Sequence, residues 1–495
     1  DAGAIKMVPQ DLARRFKVLP ISYNSAQHEL TVAMPDTYNI VALDQIRALN
    51  DPSLQIQPVL GNETDIASTI EEIYGFDLSI DGILEEIETG EVDLEIVQDD
   101  GDQYHHPMVR LINALLADAV QQGASDIHFE PEEAFLRIRY RVDGVLRQVR
   151  SLHKSYWAAM VVRLKVISNM NIAESRAPQD GRISLTLLGR QIDFRVAAQP
   201  TSHGENIVLR ILDRRKGIVP LESLGLSDEN LYTMKLMLSK PEGVILVTGP
   251  TGSGKTTTLY SVLSHINTPE INIMTMEDPV EYPMPMIRQT SISAAAKMGF
   301  AEGIRSMMRQ DPDVILVGEI RDDVTADMAL RAAMTGHQVF STLHTNSAVA
   351  SIPRLSDLGV LPDILSSNLI GIVAQRLVRR LCEECKKPQD LGSLERTLLG
   401  LVENDTETRI FQPEGCEQCQ GQGYKGRTSI IEILRISDNL RKLIAENTSA
   451  HSLRKAADEE GFRSLADDAC RRVIDGTTSL DEITRVVDLT DRLGA

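Results

Sequence analysis

No stretch of the 495-residue sequence approaches the roughly 20 consecutive apolar residues that a membrane-crossing helix needs. The opening residues, DAGAIKMVPQDLARRF, lack the apolar core of a secretory signal. Both absences predict a cytoplasmic protein. A starting methionine is also missing, so the first residue is read as a truncation point or a processed end. Basic charge is in short supply: 51 Lys and Arg stand against 71 Asp and Glu, a formal charge of −20. Phosphate backbones are held mainly by clustered Lys and Arg, so this balance speaks against a general nucleic-acid binder. The basic, aromatic-bearing strand surface that stacks single-stranded bases is absent too. Cysteine is scarce, with five in all, and four of these fall in two CxxC pairs. That spacing fits a metal site in a reducing compartment better than a disulfide framework. There is no low-complexity tract, and the 42% apolar and 25% charged composition is that of a folded globular protein. The length exceeds what one hydrophobic core serves, so three or four compact units are expected.

Along the chain, residues 1–80 mix short alternations such as HELTVAM with helical patterns such as DIASTIEEIYG, which predicts a small α/β domain. Residues 81–104 are strongly acidic and read as a solvated linker or frayed helix. A helix followed by a hairpin is expected in HPMVRLINALLADAVQQGA and FLRIRYRVDGVLRQVR, the second turning at Asp143-Gly144. With the strands of GRISLTLLGRQIDFRVAAQP and NIVLRIL, these make residues 105–220 an α+β domain. From 221 to 380 the apolar runs GVILVTG, INIMTM, DVILVGEI and HQVFSTLH alternate with helical stretches, as in a parallel sheet covered on both faces. The cysteine pairs occupy 381–425, and 426–495 reads as helix-rich.

GVILVTGPTGSGKTTTLYSVL contains the full GxxxxGK[ST] order after a buried-strand pattern and before a helical one. The candidate loop is Gly249, Pro250, Thr251, Gly252, Ser253, Gly254, Lys255, Thr256 and Thr257. Glycines let such a loop fold around phosphate oxygens, and its N–H groups and the helix N-terminus favour the anion. Lys255 would reach the β- and γ-phosphates, and Thr256 would ligate Mg²⁺. An accidental glycine-rich turn is the competing reading, and the flanking elements argue against it. Glu319 follows the apolar run Val314 to Val317, at the carboxyl end of a strand where ligands of open sheets gather. A carboxylate there can orient the attacking water or hold the Mg²⁺ shell. Glu277, Asp278 and Glu281 form a second strand-end cluster with the same choice of roles, and either cluster alone could equally be a solvated turn.

Four motifs in fixed order, the GPTGSGKT loop, TMEDPVEY, DPDVILVGEIRD and MTGHQVFSTLHTN, resemble the Walker A, Asp-box, Walker B and His-box set of the secretion ATPase superfamily of type II secretion and type IV pilus motors. ASDIHFEP, RYRVDGVL and RAPQDGRI extend the resemblance upstream, and the cysteine pairs extend it downstream. It implies a RecA-like P-loop ATPase domain preceded by a PAS-like domain, and a cytoplasmic homo-hexamer docked on an inner-membrane platform protein, peripheral to that membrane. Arg182, Arg195, Arg305 and Arg309 match the family's phosphate-approaching arginines, whereas residue by residue Arg182 and Arg195 read as ordinary strand charges. His337 and His344 match the His-box, with His344 expected to sense the γ-phosphate or link the sheet to a subunit interface.

Cys382, Cys385, Cys416 and Cys419 form two knuckles with thirty residues between them, a spacing that can close a Cys₄ zinc site and that matches the family's tetracysteine insertion. Redox cysteine chemistry is the alternative, and no thioredoxin-like pattern supports it. Cys470 is unpaired and expected to be a small buried side chain. The expected cofactors are thus ATP, Mg²⁺ and Zn²⁺. The function expected is a mechanochemical ATPase for pilus assembly or type II secretion, the motifs being common to both. A regulatory nucleotide-binding module without sustained turnover is the alternative, and a nucleic-acid translocase is disfavoured by the acidic charge. Retraction motors lack the tetracysteine insertion, which sets them aside. Val8 to Gly75 resemble the second half of an extension motor's N-terminal domain, without the Leu- and Gly-rich repeats that bind cyclic di-GMP in some pilus members.

Overall fold

The computed structural model describes residues 4, 7–24, 28–51, 54–74, 80–88, 107–187, 190–213, 217–292, 298–401 and 408–493. Two compact units divide the chain, Asp1–Asp213 and Arg214–Ala495.

The first unit opens with a three-stranded sheet, β1 (Leu19–Asn24), β2 (Glu29–Met34) and β3 (Gln55–Leu60), in which β2 runs antiparallel to β1 and parallel to β3. Alternation buries Leu30, Val32 and Met34 on one face of β2, where they meet Leu12, Ile46, Ile66 and Ile70 from three helices. A six-stranded antiparallel sheet follows: β4 (Ala124–Pro131), β5 (Phe135–Val142), β6 (Val145–His153), β7 (Gln179–Leu187), β8 (Arg190–Thr201) and β9 (Gly204–Asp213), in the order β6-β5-β4-β9-β8-β7. Asp143 and Gly144 turn the β5–β6 hairpin with φ of 50° and 83°, the left-handed pair that a tight hairpin needs. Leu136, Ile138 and Tyr140 face the core from β5, and the Tyr140 hydroxyl donates to the Leu115 carbonyl at 2.8 Å in the helix Pro107–Gln121.

The acidic segment 81–104, expected as a solvated linker or a frayed helix, is helical at its start. It begins inside the helix Ile80–Glu88, whose Ile80, Ile83 and Ile87 are buried in the same core as Leu111 and Leu115. Isoleucines at spacings of three and four make one apolar stripe, and burying that stripe outweighs the solvation of the acids beside it. The rest of the stretch, 89–106, lies outside the described residues.

In the second unit a seven-stranded sheet carries the core. Its strands are β10 (Gly243–Thr248), β11 (Ile273–Glu277), β12 (Arg288–Ser291), β13 (Val314–Val317), β14 (Gln338–Leu343), β15 (Leu369–Leu381) and β18 (Tyr424–Arg435), in the order β12-β11-β13-β14-β10-β15-β18. Every pair is parallel except β15 with β18. The short strands β16 (Lys387–Gln389) and β17 (Ile410–Gln412) pair with each other outside this sheet. Strand β18, within the stretch the sequence reads as helix-rich, closes one edge of the sheet. Ile430, Ile431, Ile433 and Leu434 are buried, and an antiparallel ladder to β15 satisfies their backbone groups. The cysteine module is an insertion between the two strands of that ribbon.

Four helices after β18 are each opened by a serine, Ser437, Ser449, Ser464 and Ser479, whose side chain accepts an N–H from the first turn. The last of them is locked to β15 by Glu482, which is 1% exposed. Its carboxylate accepts from Arg379 N at 3.1 Å, Nε at 3.0 Å and Nη2 at 2.6 Å, and from Arg485 Nη2 at 2.6 Å. Burial alone would raise the Glu482 pKa, but the donors of Arg379 and Arg485 outweigh it and hold the carboxyl below its ordinary value. A lowered folded pKa means that the contribution is complete above the unfolded value of about 4.5 and is lost as pH falls through the folded one. Glu482→Ala is expected to cost about 3 kcal/mol in a denaturant titration at pH 7, because it leaves the half-buried Arg379 charge unpaired. The gap between variant and parent should narrow below pH 4.5, and a gap that widens there would contradict the assignment.

Candidate nucleotide site and cysteine cluster

All six residues of β10 are buried, and the loop 249–254 leaves its carboxyl end beside those of β13 and β14. Strands β14 and β15 flank β10, so the chain leaves it toward one side of the sheet and later returns to the other. The crevice at such a reversal is where open α/β sheets bind ligands. Gly249 has a φ of 145°, and a Cβ there would stand 2.5 Å from the Gln375 carbonyl oxygen. Only glycine lets the loop pass so close to β15. Gly254 caps the helix Lys255–Ile266 with a φ of 90° and no side-chain acceptor, which leaves the first N–H groups of that helix to a ligand.

Lys255 lies along the loop, its Nζ donating to Gly249 O at 2.7 Å and Pro250 O at 3.3 Å. Burial lowers its pKa, the Glu319 carboxylate opposes that, and Arg376 reinforces it. Lys255 and Glu319 thus act on one another. Pro250, Thr251, Gly252 and Thr256 are exposed, Thr257 is half-buried, and Ser253 is buried with no hydrogen-bond partner for its hydroxyl.

Glu319 emerges just past β13, paired with Arg321 and with His344 Nε2 3.6 Å from its Oε2. His344 follows β14 directly, so the sheet itself brings the two together. His337, at the opposite end of β14, stands with its Nδ1 2.8 Å from Ala332 O, where it closes the turn after the helix Asp323–Met334. Glu277 differs from Glu319. It is buried at the end of β11, accepting from Tyr260, from Thr275 Oγ1 at 2.6 Å and from Gln289 Nε2 at 3.3 Å. Burial and the adjacent Glu277 charge hold the Tyr260 phenol protonated. Asp278 Oδ2 stands 3.9 Å from Arg321.

Arg305 and Arg309 are exposed on and just beyond the helix Phe300–Met307. In the first unit, Arg182 of β7 stands directly opposite Arg195 of β8, and Arg195 stands opposite Arg210 of β9. Arg210 also meets Asp126 at 3.2 Å. Like charges abreast on neighbouring strands are destabilising by themselves. Arg210 escapes a motif reading, although its place on the polar face of NIVLRIL is the cue that could have found it.

Sequence reasoning also missed Gln375, Arg376 and Glu432. Gln375 Nε2 donates to Ser253 O at 2.7 Å, and its Oε1 accepts from Thr258 Oγ1 at 2.8 Å. Arg376 Nη2 donates to Asn346 O at 2.9 Å, and Glu432 accepts from Ala348 N at 2.6 Å and Leu465 N at 2.7 Å. Each is one polar residue in a run that reads as buried strand.

The four cysteines converge. Cys382 and Cys416 Sγ are 3.8 Å apart, Cys385 and Cys419 3.8 Å, and Cys416 and Cys419 3.7 Å. A disulfide would need about 2.05 Å. Four sulfurs at about 2.3 Å from a tetrahedral Zn²⁺ would be about 3.8 Å from each other, so the residues fit that ion. N–H groups of Gly415, Cys416 and Gly423 point at these sulfurs. Burial raises the Cys385 thiol to about 12; at Cys419 burial acts in the same sense but is outweighed by the N–H donors, which leave it at about 6. Cys470 is buried apart from them, with its thiol against Leu398 O at 3.4 Å.

Residues 101–485 match the family described as type II/IV secretion system protein, and residues 1–80 match the MshEN domain. The chain is 44% identical over 425 residues to the type II secretion system protein E of Pseudomonas aeruginosa, covering 86% of this chain and 83% of that one. It is 39% identical to the type II secretion system ATPase E of Vibrio cholerae, over 98% of this chain and 97% of the relative. The type IV pilus assembly ATPase PilB of Acinetobacter baylyi is also 39% identical, over 97% of this chain and 83% of its own length. Among solved structures, the pilus retraction motor PilT with bound ADP aligns with a TM-score of 0.53 at 28% identity, covering 77% of this chain and 98% of that one. The Legionella pneumophila ATPase DotB aligns at 0.57 and 21% identity, over 78% of this chain and 95% of that one, a likeness of fold alone. A phosphate-type loop at the reversal point of its sheet, Glu319 and His344 at adjoining strand ends, and matches over nearly its whole length place this chain in the type II/IV secretion ATPase family.

Proposed function

We propose that the chain hydrolyses ATP at the 249–257 loop and turns domain movement into pilus assembly or type II secretion. The observation that carries this reading is the convergence of Lys255, Glu319 and His344 at the carboxyl ends of β10, β13 and β14. Lys255 neutralises charge on the transferring phosphate. Thr256 and Glu319 would hold Mg²⁺, which would supply positive charge against the phosphates. Glu319 is the only one of the two strand-end glutamates with room to polarise water, because Glu277 already accepts from three side chains. His344, beside Glu319, senses the γ-phosphate or links the sheet to a subunit interface. Arg321, paired to the same carboxylate, restrains it until the site closes.

The sheet that carries Arg182 and Arg195 is read as the PAS-like domain, and the second unit's sheet as the RecA-like core. Arg182, Arg195 and Arg210 stand abreast on three neighbouring strands, which supports a role toward phosphates, with Arg305 and Arg309 contributing from the motor domain. A homo-hexamer would set the orientation of these domains, so that some sites close while others open. Its partner is a platform protein at the inner membrane, against which the ring works from the cytoplasmic side. No helix among the described residues is long and apolar enough to cross a membrane. Cys382, Cys385, Cys416 and Cys419 would hold Zn²⁺ in a structural role, fastening the insertion between β15 and β18.

Glu319→Gln should retain ADP binding and lose about 10²–10⁴-fold in turnover, the usual scale for a positioned acid or base. Glu277→Gln should lower stability by about 1–3 kcal/mol, because one buried acceptor becomes a donor, while slowing turnover far less. Phosphate release and thermal melts on the two variants decide between them, and equal slowing would place both carboxylates in the chemistry.

Elemental analysis of reduced protein should find one Zn²⁺ per chain, bound with a free energy of about 10–16 kcal/mol as in other thiolate sites. Cys416→Ser should lower metal content and the melting temperature together. Metal-free protein with an unchanged melt would restore the redox reading.

For the ring, specific activity should rise with protein concentration in step with sedimentation to a hexamer. Arg195→Ala should bind ATP yet lose turnover toward the roughly 10³-fold end of arginine-finger effects. Full activity in a strictly monomeric fraction would remove the ring from the mechanism.

A further inference from the structure

We propose that Gln375 is a positioning residue for the nucleotide phosphates, acting through the peptide plane between Ser253 and Gly254. The inference rests on the nucleotide reading of the loop and names a residue outside all of its motifs. Gln375 lies in β15, more than 110 residues after the loop by sequence count, and is 1% exposed. Ser253 O can only accept, so the amide nitrogen must face it, and the amide oxygen must face the Thr258 hydroxyl. Both halves of the side chain are used, one on the loop and one on the first turn of the helix that follows.

In a trans peptide the C=O and the next N–H point in opposite directions. Pinning the Ser253 carbonyl toward β15 therefore turns the Gly254 N–H away from β15, into the set of donors that loops of this kind offer to the α- and β-phosphates. The same residue bounds the loop elsewhere. Its carbonyl oxygen is what a Cβ on Gly249 would strike at 2.5 Å, and its Nε2 would stand 3.1 Å from a Cβ on Gly254. Gln375 thus bonds the loop at Ser253 and lies close against it at Gly249 and Gly254. Without it the Ser253–Gly254 plane can rotate, and donors preset for phosphate must be ordered by the ligand instead.

The test is calorimetric titration of the full chain with MgADP and with AMP, for the parent, Gln375→Met and Thr258→Val. Met keeps the length and loses both hydrogen bonds; Val keeps the shape of Thr258 and frees the amide to turn. The expected result is about a tenfold loss of ADP affinity in Gln375→Met and about threefold in Thr258→Val, the scale of one or two hydrogen bonds. AMP, lacking the β-phosphate, should change less than about twofold on the same scale, so the ratio of ADP to AMP affinity falls. A lowered melting temperature with an unchanged ratio would mean that Gln375 only holds the fold, and overturns the proposal. Should Gln375→Met not fold, an unchanged ratio in Thr258→Val overturns it equally. A parent chain that binds no ADP would instead sink the nucleotide reading itself.

Discussion

Strand β10 is hydrogen-bonded on both sides, to β14 and to β15, and every one of its residues is buried. That double pairing fixes the point where the loop begins and the direction in which it departs. Val244, Ile245, Leu246 and Val247 have no polar face to expose, so slippage would bring Gly249 or Thr248 out of register with Gln375 and the 344–348 loop. Thr248 Oγ1 already meets Thr345 Oγ1 at 2.8 Å and accepts from Thr345 N at 2.9 Å. Through that threonine pair the end of β10 positions the loop that carries His344. The candidate site is therefore built on strand ends, with Gly249 at the point where the loop passes the backbone of β15.

The β15–β18 ribbon joins features that are far apart in sequence. Gln375 meets the phosphate-type loop, Arg376 and Glu432 hold the residues after His344, and Glu432 also accepts from the N-terminus of the helix Leu465–Ile474. Farther along, Arg379 grips Glu482 and lies 4.0 Å over the Tyr424 ring. The cysteine cluster starts at the next turn of the chain, after Leu381. Gln375 and that residue are about 20 Å apart at the usual rise of about 3.3 Å per strand residue. Buried carboxylates in this ribbon are saturated by backbone or arginine donors. Glu319, by contrast, is held by Arg321 and His344 and keeps part of its side chain exposed.

Much of this was legible because the chemistry is local. Gly249 to Thr256 announce themselves within eight positions, and Glu319 and His344 each stand directly after an apolar run whose end is unmistakable. The paired cysteines carry their own ruler. Legibility failed where a contact spans the chain. Gln375, Arg376 and Glu432 sit inside LIGIVAQRLV and SIIEIL, runs whose apolar content predicts burial but says nothing of what one polar side chain will meet. β18 was hidden for a related reason, since its partner β15 precedes it by a whole cysteine module and its neighbours downstream are helices. Ile80, Ile83 and Ile87 were masked by the acids around them. Arg210 lacked a motif, and only the strand register sets it beside Arg195.

The central claim is that the β10 loop holds a phosphate that Lys255 neutralises during turnover. Steady-state phosphate release from MgATP, measured on the parent and on Lys255→Ala with circular-dichroism melts beside it, tests this most directly. The account predicts sustained release by the parent and none above background by a variant whose melt is unchanged, because the substitution removes a charge and leaves the sheet intact. Near-parental release by a folded Lys255→Ala chain would contradict it.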